Sequence, residues 1–157
     1  PFMVNIGGKS LVEVLGTSFN VNSYDNENGI KTTLLSGSIK MTRDNQGITL
    51  TPGQQAVITF DTDAPDAREI TVIPGINTEQ ALAWKNGFFN FNGLDLKAVM
   101  RQLERWYDIK VEYRRAVDKD VFKGKIYRRV NLLDVLDILE EVGGVKFKLE
   151  GKTLIVF

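Results

Sequence analysis

Glu104 and Asp108 stand four residues apart, the spacing that puts two carboxylates on one face of a helix. Glycosidases use two carboxylates, but theirs face each other across a substrate and do not come from one exposed helix. The pair therefore reads as a solvated face. Asp61, Asp63 and Asp66 resemble part of a calcium loop without the glycine and the terminal bidentate glutamate that such a loop requires. They read as a solvated acidic loop. The 157-residue chain has no cysteine and no histidine, so it lacks a thiol nucleophile, a disulfide framework, the commonest general base and the commonest transition-metal ligand. No metal, no cofactor and no catalytic residue is expected.

Lys85-Asn86-Gly87-Phe88-Phe89-Asn90-Phe91 is an aromatic strand of the kind on which RNA-recognition domains stack bases. Those domains place Arg/Lys-Gly-Phe-Gly-Phe on the third strand, where this sequence offers Phe122, Gly124 and Tyr127 without the glycine spacing. Nucleic acid is not expected as a partner. Arg114, Arg115, Lys119, Lys123, Lys125, Arg128 and Arg129 form a basic run. It reads either as a solvated edge whose lysines discourage strand-to-strand aggregation or as a docking surface for an acidic partner. Trp84 and Trp106 are assigned to packing, in a core or at a junction between domains.

Hydrophobic residues make up 43% of the chain, a globular proportion, and the formal net charge is zero. The charge is unevenly placed. Residues 1–83 carry five Lys/Arg and nine Asp/Glu, and residues 84–157 carry fifteen and eleven, which suggests two units with different surfaces. No apolar run approaches the roughly 20 residues needed to cross a bilayer. The chain opens at Pro1-Phe2-Met3-Val4 already inside a strand-like pattern, and it reads as a fragment of a longer protein.

The first 60 residues read as β throughout. Leu11–Leu15, Phe19–Tyr24, Lys31–Leu35, Ser38–Thr42, Ile48–Leu50 and Gln54–Phe60 are short strand patterns punctuated by Gly, Asn and Pro turns. Such spacing predicts an all-β unit of stacked or rolled strands. Ile70–Ile73 adds one more strand, and Thr78 is placed to cap a short helix from Glu79 to Trp84.

The rest of the chain contains an internal repeat. Leu96, Val99, Leu103, Ile109, Val111 and Tyr113 return as Leu132, Val135, Leu139, Val145, Phe147 and Leu149, each 36 residues later. Each copy reads as a strand, an amphipathic helix and a second strand. Asp95 and Asn131 are the expected N-caps, Asp134 sits where a capping-box acid would, and Gly143-Gly144 stops the second helix. Lys152–Phe157 closes a hairpin. The predicted order is β-α-β-β-α-β-β, a small α+β unit after the β unit.

Val14-Leu15-Gly16-Thr17-Ser18-Phe19-Asn20-Val21, Thr32-Thr33-Leu34, Gly37-Ser38-Ile39 and Thr51-Pro52-Gly53-Gln54-Gln55-Ala56 resemble, in order and spacing, the later part of the FecR domain. Gly87–Phe91 through Arg101-Gln102-Leu103-Glu104-Arg105-Trp106-Tyr107 resembles the C-terminal module of Bacteroidetes-type members. That module is similar to the secretin and TonB short N-terminal domain, in which two β-α-β units sandwich helices between small sheets. The resemblance implies a FecR-type β domain over residues 1–75, truncated at its front, a connector over 76–86 and the α+β module over 87–157.

It also implies the periplasmic part of an anti-sigma regulator tethered to the inner membrane by a helix outside this sequence. The expected partner is the signalling domain of a TonB-dependent outer-membrane transporter. An extracytoplasmic-function sigma factor would be held by a cytoplasmic region, also outside this sequence. Docking by strand addition is expected at an exposed edge formed by Lys152–Phe157. Leu154, Ile155 and Val156, with Arg114, Arg115, Arg128 and Arg129, are the candidate partner-binding residues. Gly16-Thr17 resembles a self-cleavage site. There the Thr17 hydroxyl would attack the Gly16 carbonyl, moving the acyl group from nitrogen to oxygen, and water would hydrolyse the ester. The alternative reading is a carbohydrate-binding β domain with an accessory module, marked by an exposed aromatic platform.

Overall fold

Period-two alternation along residues 10–60 becomes a series of hairpins, dealt out in pairs to two sheets. The structure, a computed structural model of the chain, describes residues 2–6, 10–14, 16–43, 46–60, 69–117 and 121–157. Two compact units make up the chain, Pro1–Leu82 and Ala83–Phe157. The first contains β1 (Phe2–Ile6), β2 (Ser10–Val14), β3 (Ser18–Asn22), β4 (Gly29–Ser36), β5 (Ile39–Arg43), β6 (Gln46–Leu50), β7 (Gln55–Thr59) and β8 (Ile70–Ile73). One sheet runs β1-β2-β5-β6 and the other β3-β4-β7-β8, with every pairing antiparallel.

The inward residues follow the pleat. Val12, Val14, Ile39, Met41 and Leu50 from one sheet share a core with Ile30, Leu34, Ala56 and Ile58 from the other. Each such aliphatic side chain contributes about 1.5–3 kcal/mol when fully buried. Gly29 is dictated by close backbone approach, since a Cβ there would lie 2.3 Å from the Ile58 carbonyl oxygen on β7. A short helix, α1 (Thr78–Leu82), ends the unit. Its cap is one residue earlier than expected: Asn77 Oδ1 accepts from the Gln80 N–H at 3.2 Å. The helix stops before Trp84, where the Phe88 N–H turns back to the Ala83 carbonyl at 2.9 Å.

The second unit contains β9 (Phe88–Asn90), β10 (Leu94–Asp95), α2 (Leu96–Tyr107), β11 (Lys110–Tyr113), β12 (Val121–Phe122), β13 (Lys125–Tyr127), α3 (Leu132–Gly143), β14 (Phe147–Glu150) and β15 (Thr153–Val156). Three small sheets, β9-β13, β10-β12 and β11-β15-β14, accompany the two helices. One core joins them: Val99, Met100 and Leu103 of α2 and Val135, Leu136 and Leu139 of α3 pack with Phe89, Phe122 and Leu154.

The repeat is physical as well as sequential. Asp95 Oδ1 accepts from the Ala98 N–H at 2.8 Å, and 36 residues later Asn131 Oδ1 accepts from the Asp134 N–H at 3.0 Å. Each cap fills an otherwise orphaned helix donor and contributes about 1 kcal/mol. Asp134 does not complete a reciprocal capping box through the backbone; its carboxylate accepts from the Asn131 side-chain amide instead. The helices end on Asp108 (φ 52°) and Gly144 (φ 61°), both left-handed.

The expected docking edge at Lys152–Phe157 does not exist. β15 lies in the middle of its sheet, parallel to β11 on one side and antiparallel to β14 on the other. Leu154, Ile155 and Val156 are buried. A strand paired on both sides has spent its backbone donors and acceptors, so these residues cannot receive another strand.

Candidate protein-docking surface

The basic run separates into a brace and a surface. Arg128, expected as a docking charge, is the brace. Its guanidinium lies 4.8 Å from the ring centroids of both Phe89 and Trp106. Its Nε donates to the Phe88 carbonyl at 3.1 Å, and its own carbonyl accepts from the Trp106 indole N–H at 2.9 Å. A planar cation that lies against two mutually perpendicular rings and also donates through Nε suits arginine better than lysine. This arrangement ties the end of β13 to β9 and α2. Trp106 in turn is 49% exposed rather than buried, and Trp84 is 52% exposed, so neither is a core residue.

The other cations face outward. Arg129 lies over the Tyr127 ring at 4.8 Å, and Tyr127 packs against Phe88 at 4.5 Å between centroids. Tyr127 is nevertheless 51% exposed. Lys123 and Lys125 are exposed beside it. Arg114 is drawn to Glu112, two residues back on β11, at 3.5 Å, and its N–H donates to the Val156 carbonyl at 2.9 Å. Arg115 is exposed at the mouth of a pocket of about 140 Å³, whose walls include Val121, Val142, Val156 and Phe157. Lys119 lies outside the described residues.

Glu104 and Asp108 are not a merely solvated pair. Glu104 Oε1 accepts from the Val111 N–H at 2.9 Å, pinning β11 to the helix before it. Glu140, its repeat counterpart, accepts from the Phe147 N–H at 2.7 Å and thereby holds β14. This clamp escaped notice in the sequence, although both glutamates occupy the same position of the 36-residue repeat. Asp108 pairs with Lys152, whose ammonium holds its carboxyl below the usual carboxylate range. The Lys146 hydrogen bond, followed by that of the Phe147 N–H, does the same for Glu140. Burial, reinforced by the Glu104 charge, pushes the Tyr113 hydroxyl up to about 12.

Phe89 and Phe91 are buried, so these two rings face the core and are not presented for base stacking. Tyr24 and Phe60 are the exposed aromatics among the described residues of the first unit. Gly16 is left-handed at φ 57°, and the Thr17 hydroxyl donates to the Ser38 carbonyl at 3.0 Å. Gly37 packs against this turn so closely that a Cβ would stand 2.9 Å from Thr17 Oγ1. Asp61, Asp63 and Asp66 lie outside the described residues. Among the described residues no cluster of His, Cys, Asp and Glu could hold a metal ion, and no helix is long and apolar enough to cross a membrane.

Residues 88–156 match the family described as FecR, C-terminal. Two crystal structures of a candidate anti-sigma factor from Parabacteroides distasonis share the fold, with TM-scores of 0.81 and 0.80 and 23% sequence identity in each case. They cover 100% of this chain, which spans 71% and 70% of theirs. No curated protein matches the sequence.

Proposed function

We propose, from the match of residues 88–156 to the family described as FecR, C-terminal, that the chain is the sensing part of an anti-sigma regulator. It acts by binding another protein rather than by turnover. The family match over 88–156 carries the reading. The exposed cations and aromatics of that unit support it, because Arg and Tyr are enriched where interfaces concentrate their energy. In this reading the partner is the signalling domain of a TonB-dependent transporter, and the chain stands in the periplasm, tethered to the inner membrane. Occupancy is relayed to an extracytoplasmic-function sigma factor held by a cytoplasmic region of the parent protein.

Calorimetric titration of the chain with the signalling domain of a genomically neighbouring transporter tests this directly. Saturable binding is expected. Absence of heat, both with this chain and with a version extended toward its N-terminus, would reject that partner. Self-cleavage is a separate proposal for the Gly16-Thr17 turn. As the turn stands, the Thr17 hydroxyl is engaged with Ser38, and an intact mass after long incubation is the expected result.

A further inference from the structure

The two copies of the repeat finish their helices differently. At the end of α2, Trp106 and Tyr107 crowd against Phe89, with ring centroids 6.2 and 6.1 Å away. The Tyr107 hydroxyl donates to the Val130 carbonyl at 2.6 Å, which fixes its ring in place. The same positions of α3, 36 residues later, hold Val142 and Gly143. Phe122 lies over Gly143 so closely that a Cβ there would stand 2.7 Å from the tip of its ring. With a smaller side chain and none at all in these two places, α3 ends beside the pocket of about 140 Å³. Its buried walls include Phe122, Val145 and Val156. An apolar cavity of about 150 Å³ is large enough to hold benzene. The pocket at the end of α3 therefore has room for one phenyl ring.

Val121, Val142 and Phe157 line this pocket and are exposed. Ile138, also exposed, stands one turn before Val142 on the same helix and continues the apolar surface beyond the opening. A free phenyl compound would fill the pocket and leave that rim bare, whereas a polypeptide carrying the ring would cover both. Among the described residues Arg115 is the one charged side chain of the lining, and it pairs with none of their carboxylates. An exposed cation beside an apolar slot favours a ring whose neighbour in the chain carries a carboxylate.

We infer that this pocket receives a phenylalanine side chain, flanked by an acidic residue, from a partner protein. The inference rests on the reading of this chain as a protein-binding module and names the anchor by which the partner is held. Burial of the ring supplies affinity, as in interfaces whose energy is concentrated in an aromatic side chain that fills a pocket. Arg115 supplies direction and speeds encounter.

The test uses the intact 157-residue chain, labelled at its valine methyls for NMR, and the synthetic peptide acetyl-Thr-Asp-Phe-Glu-Thr-amide. Saturable ring-current shifts are expected at the methyls of Val121, Val142, Val145 and Val156. The peptide with alanine in place of phenylalanine should give none. Val142→Trp, which gives α3 the residue that α2 carries at this position, should close the pocket and abolish binding while distant methyls keep their shifts. Arg115→Glu, a surface change, should weaken binding about threefold. Absence of shifts at millimolar peptide, equal binding of the alanine peptide or undiminished binding by Val142→Trp would overturn the site. Unchanged affinity in Arg115→Glu would overturn the acidic neighbour. Free phenylpropionate, which leaves the rim bare, should bind about tenfold or more weakly than the peptide. Equal affinity would overturn a protein as the source of the ring. Concentration-dependent shifts at the same methyls without peptide would overturn it in favour of a second copy of this chain. The peptide contains nothing of the transporter domain. Peptide binding here with a failed calorimetric titration therefore discards the transporter partner alone, and the reverse outcome discards the pocket alone.

Discussion

Outside the buried stripe of α2 stand Lys97, Gln102 and Trp106; 36 residues later, in α3, the same positions hold Leu133, Ile138 and Val142. Inside the stripe the two copies agree: Leu96, Val99, Met100 and Leu103 against Leu132, Val135, Leu136 and Leu139. The glutamate clamps on the following strands agree too, as do the left-handed helix ends. The strand regions diverge most. Where the first copy has Asn92 and Gly93, the second has Arg128 and Arg129. Close packing and backbone hydrogen bonding constrain the interior of both repeats alike, because a lost methylene or an unsatisfied amide costs kilocalories in either. Nothing of that kind constrains the outward positions, so they are where the copies were free to acquire different partners.

Equivalence of the interiors is broken most forcefully by cavities. Leu103→Ala and Leu139→Ala should each destabilise the second unit by about 2–5 kcal/mol, since both side chains are almost fully buried in the same core. Urea unfolding of the two variants checks this, and a several-fold disparity would mean that the repeats do not share the load.

The helix ends are not chemically equal, which sharpens the comparison. Gly144→Ala puts a Cβ on a left-handed residue and should cost about 1–2 kcal/mol. Asp108→Gly relieves the same strain in the first copy while losing the exposed Lys152 pair, and should be near neutral. Thermal unfolding of both variants reads the sign.

The smallest effect concerns Tyr113, whose folded-state pKa of about 12 lies above the ordinary phenol value of 10.0. A raised pKa means that the neutral phenol is favoured in the fold. Its contribution to stability is therefore complete below pH 10 and lost as the pH climbs from 10 towards 12. Ultraviolet titration should show the phenolates of Tyr113 and Tyr107, both raised by burial, appearing late, and Glu104→Gln should bring that of Tyr113 earlier by removing a like charge.

Local pattern carried most of this architecture. Strands of the first unit announce themselves by alternation, and the second unit by a repeat whose caps fall where Asp95 and Asn131 stand. The misplaced edge has a different origin. β11 and β15 pair in parallel across some forty residues, a contact that no local alternation encodes. Leu154-Ile155-Val156 did carry the signal in another form, because an unbroken apolar run marks a strand buried on both faces. Arg128 shows the opposite limit. Counting charges ranks it with Arg129, and only its two ring contacts and the Phe88 hydrogen bond separate a brace from a surface cation.

The central claim is that the second unit receives a protein partner. Hydrogen–deuterium exchange of the intact chain, with and without the transporter signalling domain, tests it most directly. Slower exchange confined to residues 83–157 is the predicted result. Protection confined to residues 2–60 under saturating conditions would contradict it.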